Sequence, residues 1–358
     1  QDETCFKDLL IEALRYHLLK STYSTGLSRT LNGLDLERLI KNSSSESSSS
    51  LLTGEGSSSG NVSQIFDLTC SRFQERIPRI RKKCLLIIGG QAPKAIRQCE
   101  YFDFSANKWS KFVQDLPSKK CRSGVAVHNG LVYVIGGFNG QMRVRTVEVF
   151  DTNCNQWTQC ASLDARRSTL GSCILNDKIY AIGGFDGTIG LQTAEVYDPI
   201  TRAWSYIAPM STRRSSVGVA ALNGLLYAIG GYDGASRQCL ASVEVYDPKE
   251  DRWVNIVDLS QPRSGPGVGV LDGKLYAIGG HDGPAVRKSV ECYDPKVGIW
   301  NQCADMIIAR RNAGVAVNAG GLFVIGGDDG QSNLNSIEIY DPKANSWSLL
   351  SVKMSIGR

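Results

Sequence analysis

The chain has 358 residues, 42% hydrophobic and 21% charged, with a formal net charge of +5. This is the composition of a globular protein of one large or two ordinary domains. No apolar stretch reaches the roughly 18 residues that a membrane-spanning helix needs, which excludes such a span.

Residues 4–19 read as an amphipathic helix, because Phe6, Leu9, Leu10, Ala13, Leu14, His17 and Leu18 recur at i, i+3, i+4 and i+7 spacing. A helix-packing role for His17 outweighs a ligand role. Residues 21–83 read as a linker. Its segment 43–60 is mostly Ser and Gly, and that composition predicts disorder. This insert reads as a passive tether, with a phosphorylation region as the alternative. The eleven cysteines form no Cys-x-x-Cys pair, so reduced thiols in a cytoplasmic protein are the simplest reading. The chain begins at Gln1 without a signal-peptide pattern and reads as a fragment.

From residue 84 onward a single unit repeats. Paired glycines end an apolar run at 89–90, 136–137, 183–184, 230–231, 279–280 and 326–327, in steps of 47, 47, 47, 49 and 47 residues. One tryptophan follows each pair: Trp109, Trp157, Trp204, Trp253, Trp300 and Trp347. A fixed period of this length marks a repeat architecture. Within one unit, Gly124–His128 and Leu131–Ile135 are strands joined by Asn129-Gly130, a pairing that suits a hairpin turn with positive φ. The same turn is expected at Asn176-Asp177, Asn223-Gly224, Asp272-Gly273 and Gly320-Gly321. A polar loop of about ten residues follows, then strands over 146–150 and 156–161 separated by a turn at Asp151. Later units carry Asp-Pro at that turn, from Asp198-Pro199 to Asp341-Pro342.

Each unit is thus four short antiparallel strands, and six such sheets bury their faces by packing radially. The expected fold is an all-β six-bladed propeller over 84–358, preceded by a short α-helix and a disordered linker. Gly-Gly and Trp recur in every unit and read as scaffold. So do Glu100, Glu148, Glu195, Glu244, Glu291 and Glu338, despite the acid–base chemistry that six glutamates suggest.

Antiparallel connectivity gathers the 4→1 segments and the 2→3 loops on one face. Those segments hold 15 Lys/Arg and 6 Asp, a net of +9, while the turn aspartates lie on the other face. The loop face should therefore attract acidic partners. Slots that vary from unit to unit are the candidate site. After Gly-Gly the residue is Phe138, Phe185, Tyr232, His281 or Asp328. Ahead of the first strand, one slot holds Cys121, Ser168, Ser215, Ser264 and Arg311, and the next holds Arg122, Thr169, Ser216, Gly265 and Asn312. Arg, hydroxyl and aromatic groups together suit a peptide bearing carboxylates.

The Gly-Gly, Tyr/Phe-Asp and Trp pattern resembles the kelch repeat. The stretches Gly89–Arg97, Arg166–Gly171, Arg213–Gly218, Gly230–Leu240 and Gly279–Pro284 resemble the kelch-like adaptor family, in its ring-canal kelch branch. Cys5–Leu19 resembles the last helix of a BACK domain, which precedes the propeller in that family. The resemblance implies the substrate-recognition module of a cullin-3 RING ubiquitin ligase, with BTB and BACK domains supplying cullin contact and homodimerisation. This fragment would then be a monomer that binds substrate without cullin. Relatives capture acidic degrons of the WNK-kinase kind. Their contact positions match Arg122, Arg143, Arg167, Phe185, Ser215, Ser216, Tyr232, His281 and Arg311 here. Pro262 departs from the family pattern, which has Arg at that position. In the family the C-terminal residues supply the first blade's inner strand. Here 354–358 begins that pattern and stops, so the closing strand is expected to be truncated.

The alternative reading is an actin-binding scaffold associated with the cytoskeleton, although nothing in the sequence marks an actin site. Catalysis is disfavoured, since no Ser-x-Asp-x-Gly-x-x-Trp box and no His cluster for copper occurs. No cofactor or metal is expected. Nucleic-acid binding is disfavoured because the basic residues ring a face and do not line a groove with stacked aromatics.

Overall fold

A computed structural model describes residues 83–358 apart from Val113. The expected helix over 4–19 and the Ser-rich linker lie outside the described residues. The first blade is a three-stranded sheet of β1 (Cys84–Gln91), β2 (Ala95–Asp103) and β3 (Lys108–Lys111). The second is four-stranded, with β4 (Gly124–His128), β5 (Leu131–Ile135), β6 (Val147–Asp151) and β7 (Gln156–Cys160) in that order. The third repeats it as β8 (Gly171–Leu175), β9 (Lys178–Ile182), β10 (Ala194–Asp198) and β11 (Ala203–Ile207). The fourth is β12 (Gly218–Leu222), β13 (Leu225–Ile229), β16 (Val243–Asp247) and β17 (Arg252–Ile256), with the small hairpin β14 (Tyr232–Asp233) and β15 (Gln238–Cys239) in its 2→3 loop. The fifth holds β18 (Gly267–Leu271), β19 (Lys274–Ile278), β20 (Val290–Asp294) and β21 (Ile299–Cys303). The sixth holds β22 (Gly314–Asn318), β23 (Gly321–Ile325), β24 (Ile337–Asp341) and β25 (Ser346–Leu349).

The six-bladed all-β propeller expected from the repeat is the observed fold. Four of the five 1→2 turns fall where the sequence places them, with Asn129 and Gly130 at φ 48° and 79°. The last is displaced by one residue. It is built on Ala319 (φ 49°) and Gly320 (φ 76°), because Gly321 already pairs with Asn318 as the first residue of β23. Blade 1 departs from the expected ten-residue loop: β1 and β2 run on past a bulge at Ile88/Gly90 and close tightly at Gln91↔Ala95.

Two devices join consecutive blades. Each tryptophan packs on the aromatic residue opposite it in the third strand, as Trp253 does on Tyr246 with centroids 5.1 Å apart. In blades 3 to 6 the indole N–H also donates to a carbonyl of the preceding blade: Trp204 to Ala161, Trp253 to Ala208, Trp300 to Val257 and Trp347 to Ala304.

The second device is a buried cation in each 4→1 segment. The Arg214 carbonyl accepts the Gly184 N–H of blade 3 at 2.8 Å. Its guanidinium reaches into blade 4, donating to Glu244, to the Gly230 and Ser242 carbonyls and to the Ser242 hydroxyl, all within 3.0 Å. Arg167, Arg263 and Arg310 repeat the arrangement with Glu195, Glu291 and Glu338; Lys120 pairs with Glu148 and Arg358 with Glu100. Each glutamate is nearly inaccessible, and those of blades 3 to 6 also accept a backbone N–H from the same segment, as Glu244 does from Ser211. The six glutamates therefore anchor blades. The first residue of each Gly-Gly pair has positive φ, 59° at Gly230, and a Cβ there would run into the Arg263 carbonyl oxygen.

Candidate functional site at the channel mouth

The inner strands surround a central channel whose mouth opens into a cavity of about 650 Å³. Three concentric slots build this mouth. In the outermost, the residue after Gly-Gly pairs through an antiparallel bridge with the 4→1 segment: Cys121↔Phe138, Ser168↔Phe185, Ser215↔Tyr232, Ser264↔His281 and Arg311↔Asp328. The bridge fixes both backbones, so side-chain identity is free to vary without disturbing the blade. The next slot inward is left-handed in five blades: Arg122 (φ 57°), Thr169 (52°), Ser216 (48°), Gly265 (63°) and Asn312 (55°). That conformation is held by a circular chain of backbone bonds, each near 2.8 Å, running from Asn312 N–H to Gly265, Gly265 to Ser216, Ser216 to Thr169 and Thr169 to Arg122. Left-handed residues other than glycine cost energy and persist only where the surroundings over-determine them.

Of the nine candidate residues, Arg122, Ser216, His281 and Arg311 line the cavity, while Arg143, Phe185, Ser215 and Tyr232 take part in the bridges of the outer slot. The Arg122 side chain is exposed at the cavity and makes no ion pair or hydrogen bond among the described residues. Arg143 lies half-buried between two phenyl rings of successive blades, 5.0 Å from the Phe138 centroid and 4.9 Å from that of Phe185. Its Nε is buried without a hydrogen-bond partner. Two aromatic rings within cation–π range restrict the side chain.

Ser215 donates its hydroxyl to the Tyr232 carbonyl at 3.1 Å, and Ser216 lines the cavity. His281 accepts the Gly283 N–H at Nδ1, 3.3 Å away, with the Cys239 thiol at 3.9 Å. Burial, reinforced by the neighbouring Arg311 charge, pushes the His281 pKa below its ordinary value. Arg311 is already engaged: its Nε donates to Asp328 at 2.9 Å, with both side chains about one-third exposed.

Arg167 does not belong to this set. It is 0% exposed, its Nε and Nη2 meet Glu195, and its remaining donors go to Gly183, Thr193 and the Thr193 hydroxyl. No donor is left for a ligand, and the residue is one of the six blade anchors. Its neighbour Arg166 is the exposed member of the pair. Pro262 stands half-buried in that neighbour's slot in blade 5, so this blade lacks the exposed cation that Arg166 and Arg213 give blades 3 and 4.

The expected net charge of +9 falls for the same reason. Five of the fifteen cations, Lys120, Arg167, Arg214, Arg263 and Arg310, are buried against glutamates. Ten cations then face six aspartates, a net of +4. Several of those aspartates shape their own loops. Asp186 accepts two backbone N–H groups, and so does Asp329, whose carboxyl is held below its ordinary pKa by the Ser332 and Gln331 amides. The charge is also uneven around the rim. Unpaired Arg122, Arg143 and Arg145 sit on blade 2, whereas on blades 5 and 6 Arg287 meets Asp282 and Arg311 meets Asp328. Phe138, named among the variable slots but absent from the contact positions that the resemblance supplied, shares the slot of Phe185 and is the second ring against Arg143.

Comparison with known proteins agrees with the propeller fold. A family model described as the KLHDC2/KLHL20/DRC7 Kelch-repeats domain matches residues 67–216, and the Kelch motif matches 213–260, 262–307 and 309–351. The chain belongs to the kelch-repeat family. Among kelch-like proteins, it is 49% identical over 142 residues to Kelch-like protein 3 of Homo sapiens. It is 47% identical over 143 residues to Kelch-like protein 2 of Rattus norvegicus. Each match takes in 40% of this chain and only 17% of the relative. A solved structure of YjhT superposes with a TM-score of 0.64 at 15% identity, covering 71% of this chain and 91% of that one, a likeness of fold. The relatives' printed names place this kelch propeller among kelch-like proteins and specify no ligand.

Proposed function

We propose that this kelch propeller is the substrate-binding module of a BTB-kelch adaptor for a cullin-3 ubiquitin ligase, and that its channel mouth takes an acidic degron of the WNK-kinase kind. The observation that carries the reading is Arg143, whose guanidinium lies within 5.0 Å of the Phe138 and Phe185 ring centroids and has an unsatisfied buried Nε, on the same blade as the exposed Arg122. The two rings remove part of the side-chain entropy that an arginine loses on binding, and its planar edge matches a carboxylate bidentately. Ser216, Tyr232 and His281 continue the surface on which an extended peptide would lie. The protein's part is recognition: it supplies fixed donors and aromatic faces, and bond chemistry falls to the ligase.

A fluorescent WNK-type acidic peptide titrated onto the chain tests this. Arg143→Gln should weaken binding by roughly 2–5 kcal/mol, the usual loss when one partner of a desolvated charge pair is removed. Arg122→Gln, at an exposed position, should lose at most about 1 kcal/mol. Equal affinity in wild type and Arg143→Gln, with folding intact, would overturn the assignment.

A further inference from the structure

We infer that Asp328 is a specificity-determining residue of the rim: as a built-in counter-ion for Arg311 it penalises a ligand carboxylate at blade 6 and steers the acidic residues of a bound peptide onto blades 2 to 4. The inference rests on the acidic-peptide reading and says where on the rim that peptide carries its charge.

The five bridges of the outer slot are alike in backbone and differ in chemistry. Those of blades 2 to 5 join a thiol or hydroxyl residue to an aromatic or imidazole ring, whereas that of blade 6 joins Arg311 to Asp328. The Arg311 N–H donates to the Asp328 carbonyl at 2.9 Å and the Asp328 N–H to the Arg311 carbonyl at 3.0 Å, so the two side chains leave the backbone side by side. The pair therefore forms with little further loss of chain freedom. The Asp328 Oδ1 takes both the Arg311 Nε at 2.9 Å and the Gly330 N–H at 2.9 Å, which fixes the carboxylate against the loop.

The contact uses one donor of the guanidinium. The Nη groups of Arg311 make no hydrogen bond among the described residues, and both side chains are about one-third exposed at the cavity. A ligand carboxylate can reach that Nη edge, but it then shares one guanidinium with Asp328. Two carboxylates on one cation repel each other, and a half-buried site screens that repulsion less than open solvent does.

The rest of the rim carries the same asymmetry. Among the segments gathered on this face, those of blades 2 to 4 hold seven cations that are not buried against glutamate and three aspartates, whereas those of blades 5 and 6 hold three of each. On blade 5 the carboxylate of Asp282 meets Arg287. Blade 2 shows that the loops need no charge. Its Asn139 accepts the Gln141 and Met142 N–H groups just as Asp186 accepts those of Thr188 and Ile189 in blade 3. Arg143 thus has a neutral residue in the slot where the later blades place an aspartate.

The test is Asp328→Asn, which keeps the oxygen that receives the Gly330 N–H and removes the charge. The probes are a fluorescent acidic peptide and a series in which each of its positions in turn is Glu or Gln. Asp328→Asn should bind the acidic peptide at least about five-fold more tightly than wild type. At one peptide position it should also gain a preference for Glu over Gln. Both gains should vanish in the double variant Arg311→Gln/Asp328→Asn, which separates a freed Arg311 from a general loss of negative charge. Unchanged affinity in Asp328→Asn, or the same gain without Arg311, would overturn the inference. If wild type binds no acidic peptide, the reading of the rim itself fails. Binding that then appears in Asp328→Asn would support the counter-ion role, and no binding in either protein would overturn it.

Discussion

Replacing Arg167 by alanine should damage the fold and leave the rim intact. Arg167 gives hydrogen bonds to Glu195, to the Gly183 and Thr193 carbonyls and to the Thr193 hydroxyl, at 2.7–2.9 Å, from a fully buried position. Its loss leaves Glu195 as a buried carboxylate without its cation, together with two carbonyls deprived of donors. Breaking one partner of a buried pair costs about 3–5 kcal/mol. Glu195 keeps the N–H groups of Asp164 and Ala165, which places the expected cost near the lower end. For a domain of this size each kcal/mol lowers Tm by roughly 2–4 °C, so the variant should melt roughly 6–12 °C below wild type. Differential scanning fluorimetry reads the shift, and peptide titration well below the transition should return the wild-type affinity. A Tm within about 2 °C of wild type combined with lost peptide binding would show that the guanidinium reaches the ligand and refute the reasoning.

Three further outcomes follow from the geometry. Ala319 holds φ 49° in the last 1→2 turn, so Ala319→Asn should stabilise by about 1 kcal/mol, seen as a higher urea midpoint with unchanged m. A side chain at Gly218 would enter the Val268 methyl group, and Gly218→Val should cost roughly 1–3 kcal/mol by overpacking, measured in the same melts. His281 is pushed below its ordinary pKa of 6.5 by burial and by Arg311, so below that pH the unfolded chain takes up the proton more readily than the folded one. Stability should therefore fall as pH drops through 6.5 and be fully present above it. His281→Gln should flatten that part of the profile, and an unchanged profile would remove His281 as its source.

The fold was legible because period, turn chemistry and strand alternation agree at each repeat. Asn129-Gly130 and Asp198-Pro199 carry local backbone requirements that do not depend on the rest of the molecule. Ala319 was misplaced because Gly320-Gly321 is the stronger turn pair by composition, and only the pairing of Asn318 with Gly321 shows which residues actually turn. Arg167 was assigned to the rim because the resemblance carried a contact position onto it, and nothing in its residue type separates it from the exposed Arg166. The separating signal was nevertheless present: Lys120, Arg167, Arg214, Arg263, Arg310 and Arg358 recur in one slot of every blade, and recurrence marks scaffold. The overestimated rim charge has the same origin, since partners such as Glu195 lie some 28 residues away and reach the segment only in the folded chain. The Phe138–Arg143–Phe185 clamp could not be read either, because it joins side chains from two successive blades.

The central claim is that buried cations hold the blades together while the free cations of blade 2 and its neighbours receive an acidic peptide. Hydrogen–deuterium exchange with and without a saturating WNK-type acidic peptide tests it most directly. The account predicts slower exchange at 138–146 and 185–191, around the Arg143 clamp, and at 121–124 beside Arg122, with the 3→4 turns at Asp198 and Asp294 unchanged. Protection confined to the turns on the opposite face, or absent from the clamp loops while the peptide is bound, would contradict it.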